Sequence, residues 1–314
     1  MPATVIKRTT LICRDAAKMM RFYRDVLGWR VDYDAAMTLS GGIIPCGQAG
    51  DRVQLYIMEG ADKNIGKIGL LEWTVPRLPD PGPPIYRLGI GDVVLVADVA
   101  DMKALVKGIA GFDGARVHSP PTDGTFPDPR GAGAIEYSSM SFFDPEGFFY
   151  ETYFRYNRPN PDKFLIRRTT CIVRDVEQSL GFLTGALGLT KYQDSTMEIQ
   201  GVLAAGKKGD TVRFAVCRAN HDYIGMVGAL AFLKDPLPEP GEASFDYGIG
   251  RAMFVAHSED AVGLFEKVKK TGVRVKREPF VRTVPKSGGA GVTRMTSTGF
   301  HDPDGILWEV NQRD

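Results

Sequence analysis

Residues 14–29, RDAAKMMRFYRDVLGW, and residues 174–189, RDVEQSLGFLTGALGL, are two copies of one pattern. In the first copy Met19, Phe22, Tyr23, Val26 and Leu27 recur at the spacing of one helix face. Asp15 stands where an N-cap belongs, and Gly28 where a helix ends. The preceding run, residues 6–15, IKRTTLICRD, predicts a buried strand, so the local order is strand then helix.

Working outward, the duplication extends along the whole chain. A shift of 160 lays Arg8-Thr9-Thr10 on Arg168-Thr169-Thr170 and Phe22 on Phe182, and a shift of 159 lays Gly89-Ile90-Gly91 on Gly248-Ile249-Gly250. Late in each half, Asp144-Pro145-Glu146-Gly147 answers Asp302-Pro303-Asp304-Gly305. So many ordered matches imply an internal repeat. Each half divides again into two strand–helix–strands units, giving units at 6–58, 87–153, 164–217 and 247–312. Residues 53–58 read as the last strand of the first unit. The segments 59–86 and 218–246, which contain IGKIGLLEW and IGMVGALAF, read as long connections, either functional flaps or apolar straps over a sheet edge. An N-terminal lobe of 1–155 and a C-terminal lobe of 164–314 are expected, joined by the polar linker 156–163.

Composition limits the function. The 314 residues are 43% hydrophobic, enough for two cores, and 39 Lys and Arg balance 38 Asp and Glu. No global field favours a polyanion or an acidic bilayer, so neither nucleic acid nor membrane is expected as a partner. The start, MPATVIKRTT, leads into a strand rather than a signal segment, and a cytoplasmic protein is expected. Cys13, Cys46, Cys171 and Cys217 form no CxxC pair and read as reduced core thiols.

The strand, the Asp-capped helix ending FYRDVLGW and the closing strands DPEGFFYE and DPDGILWE together resemble the vicinal-oxygen-chelate superfamily of glyoxalases, bleomycin-resistance proteins and extradiol dioxygenases. The resemblance implies an α+β fold of four βαβββ units, forming two cupped eight-stranded mixed sheets with flanking helices. In metal-using members a ligand, commonly His, stands at the start of each unit's first strand, and Glu or Gln on its last strand. Mapped onto this chain, the first-strand positions become Arg8, Gly91 or Asp92, Arg168, and Gly250 or Arg251. The last-strand positions become Gln54, Glu151, Arg213 and Glu309. None is histidine, so a divalent metal is disfavoured and no cofactor is expected; a hard cation on Gln54, Asp92 and Glu151 is the weaker alternative. His118 and His221 fall in expected loops, His257 in the connection to the fourth helix, and His301 beside the last hairpin turn.

Two readings of the substituted site follow. Arg8, Arg168, Gln54, Arg213, Asp92 and Arg251 can line a ligand cleft, with guanidinium forks orienting an oxygen-rich anion and Glu151 or Glu309 as a general base raised by partial burial. Alternatively, Arg8 pairs with Glu151 and Arg168 with Glu309 as internal ion pairs, leaving a scaffold with plugged clefts. The units can pair first with second, or first with fourth, which would bring Arg8 to Glu309. Trp29, Trp73, Trp308, Tyr56 and Tyr150 are candidates for core or cleft wall. The expected function is a cleft for a small oxygen-rich or aromatic metabolite, in a lyase, isomerase or dioxygenase relative with a His-less site; if the protein is an enzyme, a glyoxalase-like lyase or isomerase is expected ahead of an extradiol dioxygenase. Non-catalytic sequestration is the alternative, and a monomer or homodimer is expected.

Overall fold

In the computed structural model each repeat opens with a strand and an Asp-capped helix. Residues 4–39, 41, 43–44, 46–128, 131, 133–199, 201–219, 223–238, 241, 245, 247–285 and 291–313 are described. Strand β1 (Val5–Ile12) leads into helix α1 (Ala16–Asp25), whose cap Asp15 accepts from the Lys18 amide at 2.7 Å. The rest of the first unit is β2 (Arg30–Thr38), β3 (Arg52–Glu59) and β4 (Lys67–Val75). The second is β5 (Val93–Asp98), α2 (Met102–Ala110), β6 (Arg116–Pro127), β7 (Ala134–Phe143) and β8 (Phe149–Arg155). The third is β9 (Leu165–Ile172), α3 (Val176–Gly181) continued by a π turn, β10 (Thr190–Glu198), β11 (Thr211–Arg218) and β12 (Met226–Phe232). The fourth is β13 (Ala252–His257), α4 (Ala261–Lys270), β14 (Val275–Pro285), β15 (Val292–His301) and β16 (Leu307–Arg313).

The expected connections therefore each hold a strand. KIGLLEWTV forms β4 and MVGALAF forms β12, and each lies parallel to the first strand of its own unit. Both are covered for most of their length on both faces, so they carry a continuous apolar run rather than the alternation that marks a half-exposed strand.

The strands form two sheets, in the orders β14-β15-β16-β13-β1-β4-β3-β2 and β10-β11-β12-β9-β5-β8-β7-β6. The antiparallel seams β1–β13 and β5–β9 join the first unit to the fourth and the second to the third. Neither sheet is confined to 1–155 or to 164–314; each takes one unit from either side of the linker. The backs of both sheets and the helices share one core, in which Phe22 and Tyr23 of α1 meet Phe142 and Tyr150 of the second unit. The two acidic turns fasten this layer. Glu146 accepts from the Arg14 and Asp15 amides at 3.0 and 2.9 Å, and Asp304 accepts from the Arg174 amide at 2.9 Å. The first unit thus shares a helix layer with the second and the third with the fourth, whereas the units joined across the seams, first with fourth and second with third, share a concave face.

Candidate functional site

Strand register fixes which side chains meet on each concave face. In the first cleft Lys67 pairs with Arg8, Arg8 with Val255, Val255 with Glu309, and Glu309 with Gly299. In the second, Met226 pairs with Arg168, Arg168 with Val96, Val96 with Glu151, and Glu151 with Ser141. Directly paired residues point to the same side of a sheet, so each row is one line of neighbours. The apolar surroundings confirm the face. Val53, Leu55, Leu71, Trp73, Met253 and Leu307 line the first cleft, and Val94, Phe149, Val212, Phe214 and Leu230 the second.

Both arginines are held by one nitrogen. Arg8 Nε donates to Thr10 Oγ1 at 3.0 Å and Arg168 Nε to Thr170 Oγ1 at 3.2 Å. Among the described residues neither guanidinium has a carboxylate within ion-pair distance, and Arg168 lies over the Phe214 ring at 4.6 Å from its centroid. Desolvation lowers the pKa of both, Arg168 to about 10 with neighbouring Arg167 adding to the effect and Glu151 opposing it. At neutral pH each remains a cation, with its terminal nitrogens free to take an oxyanion.

The two glutamates differ. Burial alone would raise the Glu309 carboxyl, but Arg282 and Arg8 outweigh it and hold the group below its ordinary value. Glu309 is bound to Arg282 and accepts from Asn311 Nδ2 at 2.8 Å. Arg282 Nε also donates to Ser297 Oγ at 2.8 Å, and Lys67 is neutralised by Asp32 at 2.7 Å and Glu59 at 3.3 Å. Among the described residues Glu151 instead accepts one hydrogen bond, from the Tyr153 hydroxyl at 2.5 Å. Burial and the adjacent Glu151 charge push the Tyr153 pKa well up, so this phenol stays a donor. Tyr137 and Phe126 stand behind Tyr153, with ring centroids at 5.3 and 6.4 Å, and make that wall aromatic.

A loop crosses each cup. Ile43, from the β2–β3 loop, lies against Gly299, where a Cβ would come within 3.0 Å of its Cγ2. In the β10–β11 loop, Val202 O accepts from Ser141 Oγ at 2.7 Å. Gly299 and Ser141 are the fifth members of the two rows, so the loops are docked at equivalent points.

A family model described as the Glyoxalase/Bleomycin resistance protein/Dioxygenase superfamily matches residues 5–152 and 165–310. The chain belongs to that superfamily. Glyoxalase I from Zea mays superposes with a TM-score of 0.61 at 17% identity, over 99% of this chain and 92% of that one. A putative dioxygenase from Bacillus subtilis gives 0.54 at 15% identity, over 99% and 86%. No curated protein sequence matches the chain. At these identities the superpositions speak for the fold alone.

The superfamily's divalent metal does not suit these residues. The row positions are Arg8, Lys67, Val255 and Glu309 in one cleft, and Arg168, Met226, Val96 and Glu151 in the other. Each row offers one carboxylate against at least one guanidinium, where a divalent ion needs several oxygen or imidazole donors. Among the described residues no three His, Cys, Asp or Glu side chains cluster as a metal set.

The structure corrects several expected site residues. Gln54 is on the outer face of β3, donating to Asp34 Oδ1 at 2.7 Å, and Arg213 is on the outer face of β11, bound to Glu177 and Asp194 at 2.8 and 3.0 Å. Asp92 and Arg251 lie in the turns before β5 and β13 and face each other at 3.8 Å. Asp92 accepts from the Gly89 amide, and burial raises its carboxyl. The proposed metal set Gln54, Asp92 and Glu151 is therefore dispersed. Arg8 faces Glu309 and Arg168 faces Glu151, the exchange that the seam pairing dictates, and Glu309 is a depressed carboxyl rather than a raised one. His118 is in strand β6, His257 ends β13 and His301 ends β15; His221 lies outside the described residues. Trp73 lines the first cleft, whereas Trp29, Trp308 and Tyr150 belong to the helix-side core, with Tyr56 packed against it. Lys67, Arg282, Asn311, Ser297 and Tyr153 had no sequence signal apart from register across the sheet.

Proposed function

We propose that the second cleft binds a small oxygen-rich anion and moves a proton on it, as a lyase or isomerase does. The observation that carries this reading is the open fork of Arg168 two strands from a Glu151 that, among the described residues, only Tyr153 engages. A carboxylate or vicinal oxygen pair sits across the guanidinium fork, which supplies fixed positive charge where the oxygens gather electrons. Glu151 takes a proton from the carbon beside the carbonyl; the released pair moves onto the oxygen held by Arg168, and Tyr153 keeps the carboxylate oriented. On an α-hydroxy carbonyl the result is an enediolate: the hydroxyl proton passes to the oxygen held by Arg168, and Glu151 returns its proton to the former carbonyl carbon, so that the carbonyl and hydroxyl exchange places and the isomerisation is complete.

The first cleft supports a different role for its own half. Glu309 is locked to Arg282 and Asn311, so that cleft can bind an anion at Arg8 without a free base. Sequestration without turnover is the reading that this cleft favours.

The test begins with a thermal-shift panel of α-keto, α-hydroxy and aromatic acids, followed by turnover of those that stabilise the protein. Glu151→Gln is expected to lower turnover by about 10²–10⁴-fold with little change in affinity, and Glu309→Gln to leave turnover in place. If no acid stabilises the protein, or if Glu151→Gln turns over normally, the proton-transfer reading is wrong.

A further inference from the structure

A cavity of about 390 Å³ is lined largely by the β10–β11 loop, and neither Arg168 nor Glu151 is among its lining residues. Its lining includes Tyr86, Arg87, His118, Leu203, Lys207 and Lys208, and among the described residues contains no acidic one. In a chain whose net charge is +1, three cations around one cavity are a local concentration. The nearby acid, Asp210, is engaged within the loop, accepting from the Lys207 amide at 2.6 Å.

The two ring-bearing residues are positioned by their neighbours. Arg116 lies over Tyr86, 4.9 Å from its centroid, and Tyr86 meets Phe143 edge to face at 5.1 Å. His118 packs edge to face on Phe143 and Phe149 at 5.8 and 5.7 Å. Burial, with Arg116 adding to it, lowers the His118 pKa, so the ring is neutral at physiological pH and offers a face rather than a charge. The volume falls in the range of small-molecule sites, and the polar groups are few and of one sign.

We infer that this cavity is a second binding site, for a planar ring carrying a doubly charged oxyanion, with the ring against Tyr86 and His118 and the anion among Arg87, Lys207 and Lys208. Two ring systems held by their neighbours and three exposed cations lining one cavity match an aryl phosphate better than either half of it. Stacking supplies contact area at little entropic cost, and each lysine or arginine adds a charge-assisted hydrogen bond. The site does not depend on the proton chemistry of the Arg168–Glu151 pair.

The probe is phenyl phosphate, titrated calorimetrically against the full chain beside phenol and inorganic phosphate. Phenyl phosphate is expected to bind at least about tenfold more tightly than either, because ring and anion contribute together. Arg87→Gln combined with Lys207→Gln and Lys208→Gln removes no buried side chain, and should weaken binding about tenfold or more and abolish its salt dependence. Tyr86→Leu should reduce the preference for phenyl phosphate over phosphate, while Arg168→Met should leave the affinity unchanged. Equal affinity for phosphate and phenyl phosphate, loss of binding in Arg168→Met alone, or no binding at all would each overturn the assignment. The first of these outcomes denotes an adventitious ion only, and the second moves the ligand to the Arg168 cleft.

Discussion

At the scale of single residues, the decisive feature is that Thr170 holds one nitrogen of Arg168 and leaves the fork open. A lysine at that position keeps the charge and loses the planar pair of donors. Arg168→Lys is therefore expected to bind a carboxylate ligand about tenfold more weakly than the parent, and Arg168→Met more weakly still, with melting temperatures close together. Equal affinities of the lysine variant and the parent, by calorimetry, would show that charge alone operates there. A second residue-scale expectation concerns Asp144, fully buried, which burial pushes up to about 8 although it accepts from Glu146 N, Phe148 N and Tyr150 OH at 3.0 Å each. An acid whose pKa is higher folded than unfolded stabilises the fold fully below its unfolded value, and that contribution is lost as pH rises through the folded one. Asp302, raised to about 7, acts in the same direction. Wild-type stability should fall from pH 5 to pH 9 by up to roughly 1.4 kcal/mol per unit and group. Asp144→Asn keeps an acceptor for both amides, and about half of that slope should disappear in denaturation curves across the range. An unchanged slope would mean that Asp144 is ionised in the fold throughout.

Elements carry the next constraint, because the arginine tether depends on a glycine in another strand. Gly228 of β12 pairs with Thr170, and a Cβ there would come within 2.6 Å of Thr170 Oγ1; Gly69 of β4 stands in the same relation to Thr10, at 2.7 Å. Gly228→Ala removes no charge and touches no ligand, yet it must rotate or push Thr170. It is expected to cost about 1–3 kcal/mol of stability by overpacking and to weaken anion binding at Arg168. If calorimetry finds unaltered affinity, the Thr170 tether is dispensable. The same two strands mark the limit of what the sequence reveals. Helix α1 was legible from Asp15, the spacing of Met19, Phe22 and Tyr23, and Gly28, all local signals. Strands β4 and β12 were not, since a doubly covered strand lacks alternation and IGKIGLLEW and IGMVGALAF read as connections. That displaced the ligand row from Lys67 and Met226 to Gln54 and Arg213, one strand away and on the opposite face. Arg8, Arg168, Glu151 and Glu309 survived the displacement because their own strands were correctly read. Val96 and Val255 did not emerge, because register between strands far apart in sequence is set by tertiary pairing.

For the whole molecule, duplication explains why the seam was not legible: four units with equivalent strand–helix openings can close sheets in more than one pairing. What selects this one is the division of labour between faces. The helix of each odd unit packs behind the unit that follows it, as Phe182 does on Phe300 and Trp308, and this leaves the first strands to pair across the linker. Thr9 and Thr169 then meet at the centre, their hydroxyls 2.8 Å apart, between the two sheets. A chain cut within 156–163 tests the arrangement directly. Were the lobes 1–155 and 164–314 self-contained, each fragment would fold as a cooperative monomer. In the exchanged arrangement each fragment alone leaves one edge of two central strands unpaired, on β1 and β5 or on β9 and β13, with Leu11, Leu95 and Phe254 uncovered nearby. Separately produced fragments should therefore unfold without a cooperative transition or self-associate, as read by melting and sedimentation. Mixed at equal concentration they should restore a single transition at the mass of the intact chain, together with anion binding at Arg168, whose partner Glu151 lies on the other fragment. Two folded, monomeric fragments that ignore each other would exclude the exchanged pairing, and with it the opposition of Arg168 to Glu151 across the β5–β9 seam.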